Sequence, residues 1–128
     1  MRILVESSIW IGYFNKGHYP NLEYYIYNDL VVVNDIILAE LIPYISHVGK
    51  FDVVDALETI DKLKLNINWS EIISFQKMNL KNGVNKVGIP DLIILQQSIQ
   101  NNYSLWSNDK HFQLMQKYVN LKLFVDVN

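Results

Sequence analysis

The sequence opens with a short apolar run, Ile3-Leu4-Val5, that stops at the carboxylate of Glu6. Aliphatic residues with no polar alternation predict a strand buried on both faces, which is typical of a parallel sheet covered by helices. Glu6 would then follow the carboxyl end of this strand, where ligands of open α/β sheets bind. The alternative is a solvated turn residue ahead of a helix capped by Ser7.

Strands and helices are predicted to alternate along the rest of the chain. Further strands are predicted at 30–33, 64–67, 103–106 and 122–125. Helices are predicted at 7–16, 22–27, 36–45, 50–63, 70–80, 90–100 and 109–118. The caps assigned are Ser7, then Asn34 or Asp35, and Ser70. Parallel β-α units with right-handed crossovers predict a three-layer α/β domain, with one domain over residues 1–128.

The composition excludes several kinds of chemistry. The 128 residues include no Cys, which removes disulfides, thiolate zinc sites and cysteine nucleophiles, and suits a reducing compartment. The formal net charge of −2 argues against a protein that coats nucleic acid by bulk attraction. Because the first apolar run is too short for a signal peptide and no stretch reaches membrane-spanning length, we expect a cytoplasmic protein without membrane contact.

Four acidic residues occupy unusually apolar segments. Glu6 ends a strand, Glu40 lies within an apolar helix, Asp91 opens another helix, and Asp109 closely follows a strand. A carboxylate in such surroundings must be paired, protonated or bound to a cation, because burying a bare charge is costly. Carboxylates at strand ends suit Mg²⁺ or Mn²⁺ and a phosphate substrate. The spacing does not decide whether the four carboxylates lie close together. Asp91 and Asp109 are also common residue types at helix N-termini, and Glu40 could face solvent.

Four segments together resemble the PIN domain, the small metal-dependent ribonuclease fold of VapC-type toxins in type II toxin–antitoxin modules. The segments are 3–11 (ILVESSIWI), 34–41 (NDIILAEL), 88–94 (GIPDLII) and 105–112 (LWSNDKHF). Their order and spacing match the family over essentially the whole chain. The resemblance implies a PIN-like three-layer α/β domain, with a mostly parallel sheet, that acts as a Mg²⁺- or Mn²⁺-dependent endoribonuclease toxin.

The resemblance also implies roles for particular residues. It implies that Glu6 and Asp91 lie closest to the metal, with Asp109 as a further metal ligand, direct or through water. Glu40 would position a metal-bound water, so that all four are catalytic. It matches Ser7 and Ser107 to hydroxyl positions that support the site, and it gives His111 only a minor role.

Glu6 departs from the family, whose first acidic residue is usually Asp. The extra methylene moves the carboxylate by about one carbon–carbon bond, which a near-octahedral Mg²⁺ site tolerates poorly. Positioning errors of about 1 Å can cost about 100-fold in rate. Two explanations of Glu6 therefore stay open: a natural variant with weakened or altered activity, or a change introduced into the sequence. The alternative function is a catalytically impaired module that binds RNA or antitoxin; a phosphoryl-accepting receiver fits the motifs badly.

The resemblance implies partners as well as a substrate. Such toxins form homodimers and bind a small antitoxin whose C-terminal segment lies over the site, and their substrate is RNA. Aromatic residues are enriched at interface cores, so an aromatic set in the first two helices is predicted to furnish part of the antitoxin groove. The set is Trp10, Tyr13, Phe14, Tyr24, Tyr25 and Tyr27, with the hydrophobic core as the expected place of Trp10 and Phe14.

Overall fold

A computed structural model describes residues 1–127 of the chain. Within these residues lie four strands, β1 (Ile3–Val5), β2 (Val31–Val33), β3 (Asp61–Lys62) and β4 (Ser104–Trp106). The helices are α1 (Ser7–Lys16), α2 (Leu22–Tyr27), α3 (Asp35–His47), α4 (Phe51–Leu57), α5 (Trp69–Lys81), α6 (Ile89–Gln100) and α7 (Lys110–Met115). The sheet order is β3-β2-β1-β4, and every neighbouring pair is parallel. The predicted α/β architecture, a parallel sheet flanked by helices, is confirmed.

β1 is an inner strand and is wholly buried. Ile3, Leu4 and Val5 are each 0% exposed, and β2 and β4 pair with the strand on its two sides. Apolar side chains on both faces suit this position, because helices cover both faces of a parallel sheet. The Glu6 N–H donates to the carbonyl of Trp106 at 2.9 Å. The carboxyl ends of β1 and β4 therefore lie side by side.

The middle of α6 is buried on all sides, over the apolar residues 92–95 and the polar residues 96–98 alike. Two buried glutamines in α6 bind the backbone of the segment between β3 and α5. Gln97 Oε1 accepts from the Asn66 N–H at 3.0 Å, and Gln96 Nε2 donates to the Asn68 carbonyl at 2.9 Å. The prediction of a strand at 64–67 is wrong, because glutamine side chains rather than a neighbouring strand satisfy this backbone.

The N-termini of three helices differ from simple serine capping. Glu6 occupies the N-cap position of α1 and Ser7 is already helical, so the predicted Ser7 cap is wrong. Asn68, not Ser70, caps α5, and its side chain accepts a hydrogen bond from the first turn. Asn34 caps α3 in the same way, as one of the two predicted alternatives. Amide and hydroxyl side chains are comparable as caps, so the local pattern did not separate them.

The helix predicted at 50–63 is too long. α4 ends at Leu57, and Asp61 and Lys62 instead form β3 against β2. The amphipathic spacing continues through this stretch, but the open edge of β2 offers backbone partners that end the helix. A helical period alone cannot predict such long-range pairing.

The C-terminal segment is less regular than predicted. α7 ends at Met115 rather than Tyr118. In place of a strand at 122–125, the described residues show an isolated parallel bridge between Leu105 and Leu123. Among the described helices, none combines the length and apolar character needed to cross a membrane.

Candidate metal centre

Four carboxylates interact at the carboxyl ends of β1 and β4. Glu6 follows β1, Asp109 precedes α7, Glu40 comes from α3 and Asp91 comes from the first turn of α6. Partial burial, the charge of Asp109 and the charge of Glu6 together raise the pKa of Asp91 to about 6, with His111 opposing the rise. Because the charges of Glu6 and Asp91 also act on Glu40, the four predicted acidic residues belong to one group, which we call the acidic cluster.

Glu40 lies at the exposed rim of the acidic cluster. Its carboxyl group is nevertheless screened from water in part, and this burial raises its pKa; the charges of Glu6 and Asp91 add to the effect, while a hydrogen bond with Ser7 lowers it. Within residues 1–127, no Lys or Arg lies within salt-bridge distance of the four carboxylates. Within the described residues, the cluster thus carries negative charge without a lysine or arginine to balance it.

Three serine hydroxyls surround the carboxylate of Glu6, which is only 6% exposed. Ser7 Oγ donates to Oε2 at 2.8 Å, Ser8 Oγ donates to Oε1 at 2.5 Å, and Ser107 Oγ donates to Oε1 at 2.7 Å. We call these three residues the serine clamp. The hydroxyls supply the hydrogen-bond donors that a buried carboxylate needs.

Two hydroxyls of the serine clamp also hold the loop after β4. The Asn108 N–H donates to Ser8 Oγ at 2.9 Å, and the Asp109 N–H donates to Ser107 Oγ at 3.0 Å. Asp109 then caps α7, its Oδ1 accepting from the His111 N–H at 2.9 Å. The position of the Asp109 carboxylate is therefore linked through hydrogen bonds to Glu6 on β1.

Asp91, Asp109 and His111 form the part of the site best suited to a cation. One carboxylate oxygen of each aspartate and one ring nitrogen of the histidine lie within 4.8 Å of one another, and all three residues are half-buried. Ligand atoms at about 2.1–2.4 Å from one ion are at most about 4.2–4.8 Å apart. His111 Nδ1 also lies 3.3 Å from Asp109 Oδ1. Uncompensated carboxylates with an imidazole at this spacing fit a divalent ion.

The binding of a divalent cation is expected to depend on the charge of Asp91. Above its pKa of about 6 the carboxylate is ionised and available, whereas below it a proton competes with the cation. Mn²⁺ affinity should therefore fall by about tenfold for each pH unit below about 6. Isothermal titration calorimetry at constant ionic strength measures this, and an affinity that stays constant down to about pH 5 would contradict it.

The structure brings two further residues beside the acidic cluster. His111, whose minor role stays a prediction, places a ring nitrogen within 4.8 Å of carboxylate oxygens of Asp91 and Asp109. Ser8 was not singled out, although it donates to Glu6 as Ser107 does. The signal for His111 was its place two residues after Asp109 in the last motif; for Ser8, no signal distinguished it from an ordinary residue of a first helical turn.

The predicted aromatic set divides between core and surface. Trp10 is 2% exposed, which confirms its predicted place in the core, while Tyr24 and Tyr27 are exposed. Trp10, Tyr13 and Phe14 line a groove of about 300 Å³ together with residues of α4. The groove thus uses the aromatic residues of α1 but not the exposed tyrosines of α2.

Comparison with known proteins places this geometry in a known fold. No protein-family model matches the sequence, and no curated protein is significantly similar to it. A chain of VapBC2 from Rickettsia felis, solved with a promoter DNA fragment, is 23% identical, with a TM-score of 0.69 over 97% of this chain and 98% of that chain. A chain of DNA-bound VapBC from Salmonella typhimurium is 14% identical, with a TM-score of 0.76 over 97% of each chain. VapC20 from Mycobacterium tuberculosis, described as a sarcin-ricin loop cleaving toxin, is 11% identical, with a TM-score of 0.62 over 94% of this chain and 98% of that chain. The chain is thus similar to these proteins along nearly its whole length and has the PIN-like α/β fold of VapC-type toxins.

Proposed function

We propose that the chain is a metal-dependent endoribonuclease toxin of a type II toxin–antitoxin system, with RNA as its substrate. The observation that carries this proposal is the acidic cluster, where Asp91, Asp109 and His111 place ligand atoms within 4.8 Å of one another beside two further carboxylates. The similarity to a toxin described as cleaving the sarcin-ricin loop supports RNA as the substrate class.

Asp91 and Asp109 would hold the divalent ion, Mg²⁺ or Mn²⁺, inside the acidic cluster. Such an ion, when bound, neutralises phosphate charge and makes a water molecule more acidic. The negative potential of the cluster would otherwise repel the RNA backbone, since like charges in a half-buried site interact strongly. Ser107 links Glu6 to the backbone of Asp109, and the His111 N–H holds the Asp109 carboxylate, so that this ligand would stay in place.

Glu40 is suited to act as a general base on the attacking water. Its raised pKa makes the Glu40 carboxylate a stronger base, which is better able to accept a proton from water. Its position at the exposed rim leaves it accessible to solvent and substrate. Ser7 donates its hydroxyl proton to Glu6 Oε2 at 2.8 Å and lies close enough to the Glu40 carboxyl group to lower its pKa.

We also propose an antitoxin and a second copy of the chain as protein partners. The groove lined by Trp10, Tyr13 and Phe14 is apolar enough to take an antitoxin segment. A second apolar strip lies on α5, where Trp69 is 57% and Ile73 is 57% exposed, and it would suit the contact between two copies. The similarity to chains of VapBC structures supports a toxin–antitoxin assembly.

The proposal is tested by RNA cleavage with and without divalent ions. Total ribosomal RNA and a synthetic sarcin-ricin hairpin are incubated with the chain in Mg²⁺, in Mn²⁺ and in EDTA. Cleavage is expected with an ion and should fall by at least about 100-fold in EDTA, with recovery on addition of Mn²⁺. The exposed Asp52→Asn variant serves as the matched carboxylate control and should cleave normally.

Cleavage that persists in EDTA would contradict a metal-dependent mechanism. RNA that is retained but never cut, in either ion, would favour the catalytically impaired binding module instead. Loss of cleavage by a folded Asp52→Asn variant would mean that a carboxylate outside the acidic cluster is required, and would contradict the assignment of the site.

A further inference from the structure

The serine clamp leaves Glu6 little capacity to bind an ion. A carboxylate offers about four acceptor positions, and three hydroxyls already occupy the carboxylate of Glu6. The side chain is 6% exposed, so few further groups can reach it. Asp91 and Asp109 are half-buried by comparison and face each other with His111.

The direction of the hydrogen bonds in the serine clamp is fixed by the backbone. A backbone N–H can only donate, so Ser8 Oγ must accept from the Asn108 N–H and Ser107 Oγ from the Asp109 N–H. Each hydroxyl then has its single proton left for Glu6. Glu6 is thus joined by two separate hydrogen-bond paths to the loop that carries Asp109.

The ligand distances single out a different trio from the one implied by the family resemblance. In the described part of the chain, the group of acidic and histidine side chains within 4.8 Å consists of Asp91, Asp109 and His111, without Glu6. His111 is held there by its place in the first turn of α7, two residues after the Asp109 cap.

Building on the proposed function, we propose that Asp91, Asp109 and a ring nitrogen of His111 hold the ion, while Glu6 is a positioning residue that acts through the hydroxyls of Ser8 and Ser107. An imidazole ligand favours Mn²⁺ and other transition ions over Mg²⁺. The extra methylene of Glu6 is then a requirement, because an aspartate at this position would be too short to reach Ser107. Glu6→Asp should therefore weaken the site rather than repair it.

The histidine ligand is tested by pulsed electron paramagnetic resonance of Mn²⁺ bound to the full chain. Electron spin echo modulation from a directly bound ¹⁴N nucleus is expected, and it should disappear in His111→Ala, with an affinity at least about tenfold lower. The exposed His18→Ala and His47→Ala variants are the matched controls and should keep the modulation. Bound Mn²⁺ without nitrogen coupling, or coupling that persists in His111→Ala, would overturn the assignment of His111. Failure of the chain to bind Mn²⁺ at all would overturn the proposed function together with this inference.

The positioning role of Glu6 is tested by calorimetric Mn²⁺ affinities of Glu6→Asp, Ser107→Ala and Ser107→Thr. Glu6→Asp and Ser107→Ala should each lower the affinity by about 10- to 100-fold, whereas Ser107→Thr keeps the hydroxyl and should retain it. Glu6→Asp and Ser107→Ala both break the hydrogen bond between Glu6 and Ser107. The Mn²⁺ affinity of the variant that carries both changes should therefore be little lower than that of either single variant. The exposed Glu58→Asp change is the control for loss of one methylene. A higher affinity in Glu6→Asp, or full affinity in Ser107→Ala, would show that Glu6 acts as a ligand itself.

Discussion

Replacing Asp91 by Asn should abolish RNA cleavage and at the same time raise the melting temperature of the ion-free protein. The activity should fall by about 100- to 1,000-fold, because the substitution removes a proposed ligand. The stability should rise because folding lifts the pKa of Asp91 to about 6, through burial and the charges of Asp109 and Glu6. Because solvent screens a half-exposed group, the free energy of unfolding should rise by only about 1 kcal/mol, which raises the melting temperature by about 2–4 °C.

The sign of this effect gives its pH dependence. Asp91 has a higher pKa in the folded chain than its ordinary value of 3.8, so the folded state prefers the protonated form and loses stability as the pH rises from 3.8 to about 6. The advantage of Asp91→Asn should be complete above about pH 6 and should shrink as the pH falls towards 3.8.

Thermal melts in EDTA at about pH 7.5 and about pH 4 measure this difference. Asp52→Asn is again the control, since Asp52 is exposed and should show little change. A melting temperature that drops equally at both pH values would mean that Asp91 stabilises the fold, which would contradict the electrostatic account. Full cleavage by Asp91→Asn would remove the basis for the proposed metal centre.

Replacing Phe112 by Ala should give the largest loss of stability, about 3–5 kcal/mol. Phe112 is 0% exposed and, with the buried Met115, attaches α7 to the core. The substitution leaves a cavity that a short helix cannot fill by moving without loss of its other contacts. Asp109 and His111 flank this helix start, so Mn²⁺ affinity should fall as well.

Urea denaturation followed by circular dichroism measures the free energy of unfolding for this variant. Gln113→Ala, at an exposed position of the same helix, is the control and should lie within about 0.5 kcal/mol of the parent chain. A loss of less than about 1 kcal/mol for Phe112→Ala would mean that α7 is held mainly by other contacts.

Local patterns in the sequence were sufficient to predict the central strands and the principal helices. Ile3-Leu4-Val5 and Val31-Val32-Val33 are continuous apolar runs, and only a strand covered on both faces buries such a run. Pro90 and the apolar residues after it were enough for α6. The placement of Glu6 and Asp109 at strand ends followed directly from these elements, because parallel strands end at the same edge of the sheet.

Other features depend on groups that are distant in the sequence. The backbone at 64–67 pairs with no described strand; Gln97 binds it at Asn66, Gln96 binds the chain just beyond it at Asn68, and nothing within the segment itself indicates these contacts. The length of α4 was likewise decided by the pairing of Asp61 with β2.

The sequence by itself determined which residue types reach the edge of the sheet: two carboxylates at strand ends and two more on neighbouring helices. Only the tertiary structure decided which of these carboxylates lie within hydrogen-bond or ligand distance of other side chains. Glu6 and Ser107 are 101 residues apart, and their hydrogen bond exists because β1 and β4 are adjacent in the sheet. His111 lies close to Asp91 for a similar reason, because α6 and α7 both begin at the same edge of the sheet. Hydrogen bonds and ligand distances depend on positions to within about 0.5 Å, and such positions are set by the packing of the whole core rather than by local sequence.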